Sequence, residues 1–285
     1  MPDDVLLVVN CQHDYCYANR HVIQELYARN FPRIAFAVGA SCAVDPAFDH
    51  IVATWRCDPL KNRCTCVAPY YGEHSANVHC FHTRLADIAV AADDAEYVVF
   101  VEDDCILSPR VDAKAIRQMC AEVDALLPPV FFCPRENTAW IWTQHETGYP
   151  AYDAVSAQFD RERLLHHWRQ YSGTEPPAVT YTPLLSGFVD AFVLRVDLLR
   201  RMTDDLKLMR EVWHEAAIPT AVVYHASRVG RLNGLALWGD VRQRVLRELM
   251  NLLATHDFVH PIKLSTYSQE EILQTYRALL PKRAG

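Results

Sequence analysis

The chain has 285 residues, enough for one large domain or two small ones. About half of the residues are hydrophobic (51%), but the apolar runs are strand-sized and fall short of the roughly 20 residues that a membrane span needs. The formal net charge is -7 and no Lys/Arg-rich run occurs, which argues against nucleic-acid binding. Acidic residues stand where a signal peptide would carry positive charge, so we expect a soluble, cytoplasmic protein.

The predicted elements of residues 1–135 alternate between strands and helices, which is typical of an α/β sheet. The strands predicted from apolar runs are Val5–Asn10, Arg33–Val38, His50–Trp55, Tyr97–Val101 and Val130–Cys133. The helices predicted from helical spacing are His21–Arg29, Phe81–Ala91 and Val111–Leu127. Residues 57–78 show no period, which predicts a long loop.

Residues 136–285 begin with an aromatic-rich stretch and continue with further helical patterns. The predicted helices are Asp160–Tyr171, Asp197–Met202, Lys207–His214, Asp240–Ala254 and Ser268–Leu279. The predicted strands are Ala191–Leu194 and Thr220–Tyr224.

All ten cysteines lie before residue 134. Without an export signal they are expected to be free thiols or metal ligands rather than a disulfide framework. One group mixes cysteines and histidines at irregular spacing: Cys57, Cys64, Cys66, His79, Cys80 and His82. Since this group lacks paired CxxC knuckles, we favour buried packing and an irregular loop, with a zinc site as the alternative.

Three carboxylates, Glu102, Asp103 and Asp104, directly follow the apolar run Tyr97–Val101. That run is apolar on both faces, which indicates a central strand, and open α/β sheets bind ligands at the carboxyl ends of their strands. Adjacent acids repel one another, and a divalent cation carrying a substrate diphosphate would offset the repulsion. The alternative interpretation is a solvated acidic turn.

This strand followed by acids resembles the DXD element of GT-A glycosyltransferases, which hold Mn²⁺ or Mg²⁺ on the diphosphate of a nucleotide sugar. The resemblance implies a GT-A-like α/β fold, with a Rossmann-type, mostly parallel central sheet flanked by helices. It also implies that Asp104 is the direct metal ligand, that Asp103 faces the ribose or the metal, and that Glu102 supplies the outer acidic position. Glu102 departs from the family's aspartate at that position.

Two further stretches are similar to elements that follow the DXD element in that family. Ser186–Ala191 looks like the glycine loop, in which Gly187 lets the backbone approach the donor sugar or the acceptor; a turn that opens a strand is the alternative. Trp213–Thr220 resembles the xED region, which implies that Glu215 is the general base for the acceptor hydroxyl. Asp190, beside the glycine loop, is the second candidate for that role, and an exposed glutamate at a helix end is the alternative for Glu215.

The stretch Phe258–Lys263 looks like the C-terminal histidine element of the family. This resemblance implies that His260 is a metal ligand and that Lys263 neutralises the departing nucleoside diphosphate. His225 follows a predicted strand and competes with His260 for the ligand role, and we favour His260 because of its lysine neighbour. Asn10, where the first predicted strand ends, is a candidate contact for the base or ribose of the nucleotide.

The resemblance implies a metal-dependent glycosyltransferase that moves a sugar from a nucleotide-diphosphate sugar to a hydroxyl of a glycan or glycoconjugate. Residues 1–135 would form the nucleotide-sugar-binding half and residues 136–285 the acceptor-binding half of one domain. A sugar-phosphate nucleotidyltransferase is an alternative, although Asn10–Asn19 contains no glycine to cradle a triphosphate. A non-catalytic zinc module built on the cysteine and histidine group is the third reading.

Overall fold

The computed structural model describes residues 4–11, 16–39, 42–52, 81–133, 156–176, 178–209, 214–237, 245–262 and 264–280. The strands in these ranges are β1 (Val5–Asn10), β2 (Arg33–Val38), β3 (Asp49–Val52), β4 (Tyr97–Glu102), β5 (Ile106–Leu107), β6 (Ala125–Leu127), β7 (Val130–Cys133), β8 (Leu184–Gly187), β9 (Ala191–Arg195), β10 (Val229–Arg231), β11 (Gly234–Ala236) and β12 (Phe258–His260).

The helices in the same ranges are α1 (Arg20–Tyr27), α2 (Phe81–Ala91), α3 (Ala113–Met119), α4 (Arg161–Ser172), α5 (Val196–Leu208), α6 (His214–His225), α7 (Leu246–Asn251) and α8 (Gln269–Arg277). Three short 3₁₀ turns lie at Cys16–Asn19, Leu252–Ala254 and Leu264–Thr266. Within the described part of the chain, no helix combines the length and the apolar character needed to cross a bilayer.

A seven-stranded sheet organises the fold, in the order β10-β6-β9-β4-β1-β2-β3. Strands β1 to β4 pair in parallel, as do β6 and β10, whereas β9 runs antiparallel to both of its neighbours, β4 and β6. Smaller sheets are formed by β11-β12-β5 and by β7-β8. The prediction of an α/β fold with a mostly parallel central sheet flanked by helices is confirmed.

Both faces of the central sheet are buried, which explains why β1 and β4 are apolar at consecutive positions. On one face, Val8 and Phe100 belong to a core that also contains Leu85 and Ile88 of α2. On the other face, Val9 and Val101 belong to a second core with residues of α1, α7 and α8. Successive side chains of a strand alternate between the two faces. Asn10 and Glu102, which end β1 and β4, therefore lie on the same face as Val8 and Phe100.

Helix boundaries follow local capping chemistry where the sequence supplies it. Asp160 caps α4, since its carboxylate accepts a hydrogen bond from the backbone N–H of Arg163 at 2.7 Å. Gly173 ends the same helix with a φ of 68°, a conformation that suits a residue without a side chain. Ser268 caps α8 by accepting from the N–H of Glu271 at 3.2 Å.

Two predicted elements are wrong. The helix predicted over Val111–Leu127 ends at Met119, and Ala125–Leu127 instead form β6, where hydrogen bonding to β9 and β10 decides the conformation of three buried residues. The strand predicted over Thr220–Tyr224 is part of α6, which continues through Pro219. A short apolar run that is buried all round does not distinguish a strand from a helix by its period.

The boundary predicted at residue 135 lies outside the described residues, as do the predicted cysteine and histidine group and the long loop of residues 57–78. The cysteines whose side chains are described, Cys11, Cys42, Cys105, Cys120 and Cys133, are free thiols. The division into a nucleotide-sugar half and an acceptor half stays a prediction.

Candidate functional site

Two carboxylates face each other across the β4–β9 ladder at one edge of the central sheet. The register pairs Phe100 with Phe192, whose rings stack at 4.9 Å, and two positions further on it brings Glu102 opposite Asp190. The N–H of Glu102 donates to the carbonyl of Asp190 at 2.9 Å, which continues the ladder. Strand alternation places both carboxylates on the face that carries the two rings, and both residues are buried.

His260, the last residue of β12, brings an imidazole between two carboxylates. Its Nδ1 lies 3.2 Å from a carboxylate oxygen of Asp190, and its Nε2 lies 3.2 Å from one of Asp104. A backbone hydrogen bond also joins these two segments, because the N–H of Ile262 donates to the carbonyl of Asp104 at 2.6 Å. The turn after β4 and the end of β12 are therefore fixed to each other.

The neighbouring strand β1 ends at the same edge with Asn10. Asn10 is in register with Glu102, and its carbonyl accepts from the N–H of Asp103 at 3.3 Å. The side chain of Arg84, from α2, donates through Nη1 to Oδ1 of Asn10 and to the carbonyl of Ala37 at 3.2 Å. Polar groups from the ends of β1, β2, β4 and β12, from the residue before β9 and from the helix α2 thus meet at one edge of the sheet.

The pKa values of two residues at this edge, Glu102 and His260, differ from those of the same groups in water. Burial raises the pKa of Glu102 well above its usual range, the charges of Asp190 and Asp104 raise it further, and His260 opposes them. Burial lowers the pKa of His260, but the carboxylates of Asp190 and Asp104 outweigh burial and hold this pKa well above its usual value. The cluster therefore favours an added positive charge.

Glu102, Asp190 and His260 each present a ligand atom within 4.8 Å of the other two. Two carboxylate oxygens and one imidazole nitrogen form a donor set that fits a divalent cation such as Mn²⁺, since carboxylates are the oxygen ligands such ions prefer and imidazole also binds transition metals. Buried carboxylates opposite each other need a positive partner to offset their repulsion. The residues present therefore fit the cation that the sequence predicts.

The structure brings most of the predicted site residues together, with some differences. Gly187 ends β8, where an added Cβ would meet the carbonyl of Pro129 at 3.0 Å. Glu215 lies half-buried in the first turn of α6 and is not a member of the cation-sized group just described. Lys263 lies outside the described residues. His225 is part of a different contact, because its Nε2 lies 2.5 Å from Asp205.

One residue of this edge, Arg84, was not predicted from the sequence. It is 2% exposed and lies in the helix α2. The signal was its spacing, because Arg84 precedes the buried Ile88 by one helical turn and so shares its apolar stripe. A charged residue on the buried stripe of a helix marks an unusual position.

No protein-family model matches the sequence, and no curated protein matches it. Solved structures with a similar fold include a glycosyltransferase involved in the glycosylation of the major capsid of PBCV-1, with 11% identity, coverage of 95% of this chain and 98% of that chain, and a TM-score of 0.39. The mannosyltransferase Ktr4p from S. cerevisiae has 10% identity over 80% of this chain and 68% of that chain, with a TM-score of 0.44.

Core-mannan synthase A (CmsA/Ktr4) from Aspergillus fumigatus, in a Mn/GDP form, has 11% identity over 80% of this chain and 72% of that chain, with a TM-score of 0.44. These three proteins are glycosyltransferases. At such identities and TM-scores the similarity carries no argument about function.

Proposed function

We propose that the protein is a metal-dependent glycosyltransferase that moves a sugar from a nucleotide-diphosphate sugar to an acceptor hydroxyl. The observation that carries the proposal is the position of Glu102 and Asp190, opposite each other on one face with His260 against them. This cluster lies at the carboxyl edge of the parallel strands, where open α/β sheets bind their ligands. The order of the motifs along the chain supports a nucleotide sugar as that ligand.

Glu102, Asp190 and His260 are the residues that we assign to hold the cation, because their ligand atoms are mutually within 4.8 Å. Asp104 lies 3.2 Å from Nε2 of His260 and is assigned to orient the imidazole, as carboxylates do for metal-bound histidines. This assignment moves Asp190 from the second candidate base to a ligand, and it moves Asp104 from a ligand to an orienting group. Bound there, Mn²⁺ or Mg²⁺ would offset the negative charge of the donor's diphosphate.

The remaining residues are assigned to the two substrates. Asp103 and Asn10 are assigned to contact the ribose or base of the nucleotide, and Gly187 to let the backbone approach the donor sugar or the acceptor. Glu215 takes the proton of the acceptor hydroxyl. The oxygen of that hydroxyl bonds to the anomeric carbon of the donor sugar, and the bond between this carbon and the diphosphate oxygen breaks. Lys263 then neutralises charge on the departing nucleoside diphosphate.

The test is a screen of nucleotide sugars for thermal stabilisation with and without Mn²⁺, followed by measurement of nucleoside diphosphate release with a set of sugar acceptors. A donor at one hundred times its dissociation constant adds about 2.7 kcal/mol to the free energy of unfolding. We expect one nucleotide sugar to stabilise the protein only when Mn²⁺ or Mg²⁺ is present. Glu102→Gln should remove this effect, and the matched control Glu122→Gln, in an exposed pair with Arg228, should keep it.

Failure of every nucleotide sugar to stabilise the wild-type protein in Mn²⁺ would overturn the proposal. Release of pyrophosphate from a nucleoside triphosphate and a sugar phosphate would instead identify a nucleotidyltransferase. Purified protein that holds zinc tightly and ignores nucleotide sugars would favour the zinc module.

A further inference from the structure

Arg84 places a positive charge where a side chain would normally be apolar. The residue is 2% exposed, and its guanidinium reaches from α2 to the carboxyl ends of β1 and β2. Removing such a group from water is costly, and a well-packed apolar residue at the same place is often as stable or more stable. Packing alone therefore does not account for a buried arginine at this position.

The contacts of Arg84 determine the orientation of Asn10. Nη1 donates to Oδ1 of Asn10 and also to the carbonyl of Ala37, which is in register with Asn10 on the neighbouring strand. A side-chain amide has one acceptor end and one donor end, and a guanidinium can only donate. The contact with Arg84 therefore orients Oδ1 of Asn10 toward α2. Nδ2, on the other side of the same amide, is directed away from Arg84.

Asn10 lies one strand away from the cluster assigned to the cation. It is in register with Glu102, and its own carbonyl accepts from the N–H of Asp103. Asn10 and the cluster assigned to the cation therefore lie at the same edge of the sheet, where open α/β sheets bind their ligands.

We propose that Arg84 is a positioning residue for Asn10, and that the amide it holds donates from Nδ2 to an oxygen acceptor of the donor nucleotide. This inference rests on the proposed function, since it names the residue pair that recognises the nucleotide of the same site. Arg84 acts through Asn10 and does not itself contact the nucleotide. The pair then selects a ligand oxygen that accepts a hydrogen bond and rejects a donor group at that position.

The test compares transfer kinetics of Asn10→Ala, Arg84→Met and the double variant with those of the wild-type protein. We expect each single variant to raise the KM for the donor by about ten-fold, with kcat changed less than about two-fold, because one hydrogen bond that binds ground state and transition state alike is lost. In the Asn10→Ala background, Arg84→Met should add less than about two-fold.

Arg84→Lys is the conservative variant. Both contacts come from the single atom Nη1, and an ammonium carries three N–H donors, so lysine should restore a KM within about three-fold of the wild-type value. Arg33→Met is the matched control, because Arg33 begins β2 at the opposite edge of the sheet and pairs with Asp94 at 2.7 Å. It should leave the KM unchanged.

The inference would be overturned if Arg84→Met raised the KM for the donor by the same factor in the wild-type and Asn10→Ala backgrounds. It would also be overturned if Arg84→Met left this KM unchanged. If the wild-type protein transfers no sugar, the proposed function fails, and titration of the same variants with GDP and with UDP in Mn²⁺ then decides the inference. Non-additive loss of affinity in these titrations supports it. Additive loss, or no binding by the wild-type protein, refutes it.

Discussion

Replacing Glu102 by glutamine should stabilise the metal-free protein at neutral pH. The substitution keeps the shape of the side chain and removes a carboxyl group whose ionisation is opposed by burial and by the charge of Asp190. Because the pKa of Glu102 is raised in the folded state, the stability contributed by this group is fully present below the pKa of the unfolded chain, about 4.3, and is lost as pH rises through the folded value. Glutamine does not titrate, so it avoids that loss.

The size of the effect follows from the spacing of the cluster. Ligand atoms of Glu102 and Asp190 lie within 4.8 Å, and two unit charges at 4.8 Å repel by about 3.5 kcal/mol at an effective dielectric constant of about 20. The positive charge of His260 offsets part of this repulsion. We expect Glu102→Gln to raise the free energy of unfolding by about 1–3 kcal/mol at neutral pH, and by much less near pH 5.

The assay is urea unfolding across this pH range, in EDTA and then in excess Mn²⁺. The wild-type protein should gain stability from Mn²⁺, whereas Glu102→Gln should gain much less, because a cation ligand is missing. Glu122→Gln, at an exposed carboxyl, should stay within about 0.5 kcal/mol of the wild-type protein in each condition.

A loss of stability for Glu102→Gln in EDTA, unchanged by Mn²⁺, would refute the reasoning. Glu102 would then be a structural acid whose hydrogen bonds stabilise the strand end, and the cation site would have to be sought elsewhere.

Three further predictions test other parts of the structure. His260→Ala should abolish stabilisation by Mn²⁺, whereas His225→Ala should preserve it, and thermal unfolding with and without Mn²⁺ would expose the reverse ranking. Glu215→Gln should cut the transfer rate by about 10² to 10⁴ with donor affinity unchanged, as measured by kinetics and titration, and a loss of donor affinity instead would assign Glu215 to the donor pocket. Burial raises the pKa of the Cys120 thiol to about 12 and that of Cys133 to about 11, so both should resist iodoacetamide at pH 8 in the folded protein; mass spectrometry that finds either one labelled would contradict their burial.

Much of the fold was predictable because the local signals agree with the final sheet. The apolar runs predicted as β1 and β2 have the observed bounds, and the predicted Phe81–Ala91 helix matches α2. Elements shorter than four residues, such as β6 and β12, were missed or misassigned, because hydrogen bonding to distant strands decides their conformation.

The site was predictable as a set of residue types and only partly as a geometry. The acids that follow β4 were recognisable from one apolar run that ends in carboxylates. The position of Asp190 opposite Glu102 depends on the antiparallel register of β9, which no local pattern specifies. The same holds for the contact between Arg84 and Asn10, which requires a helix to pack on a particular strand end.

Because β9 pairs with β4, the candidate cation site is formed by residues that are far apart in the sequence. Glu102 belongs to the first half of the chain, whereas Asp190 and His260 belong to the second, and they meet only when β9 and β12 have been added. Closing such distant pairs is slow relative to local structure. A chain that has been synthesised only as far as β7 would carry one of the three assigned ligands, so tight cation binding would begin only after most of the polypeptide has left the ribosome.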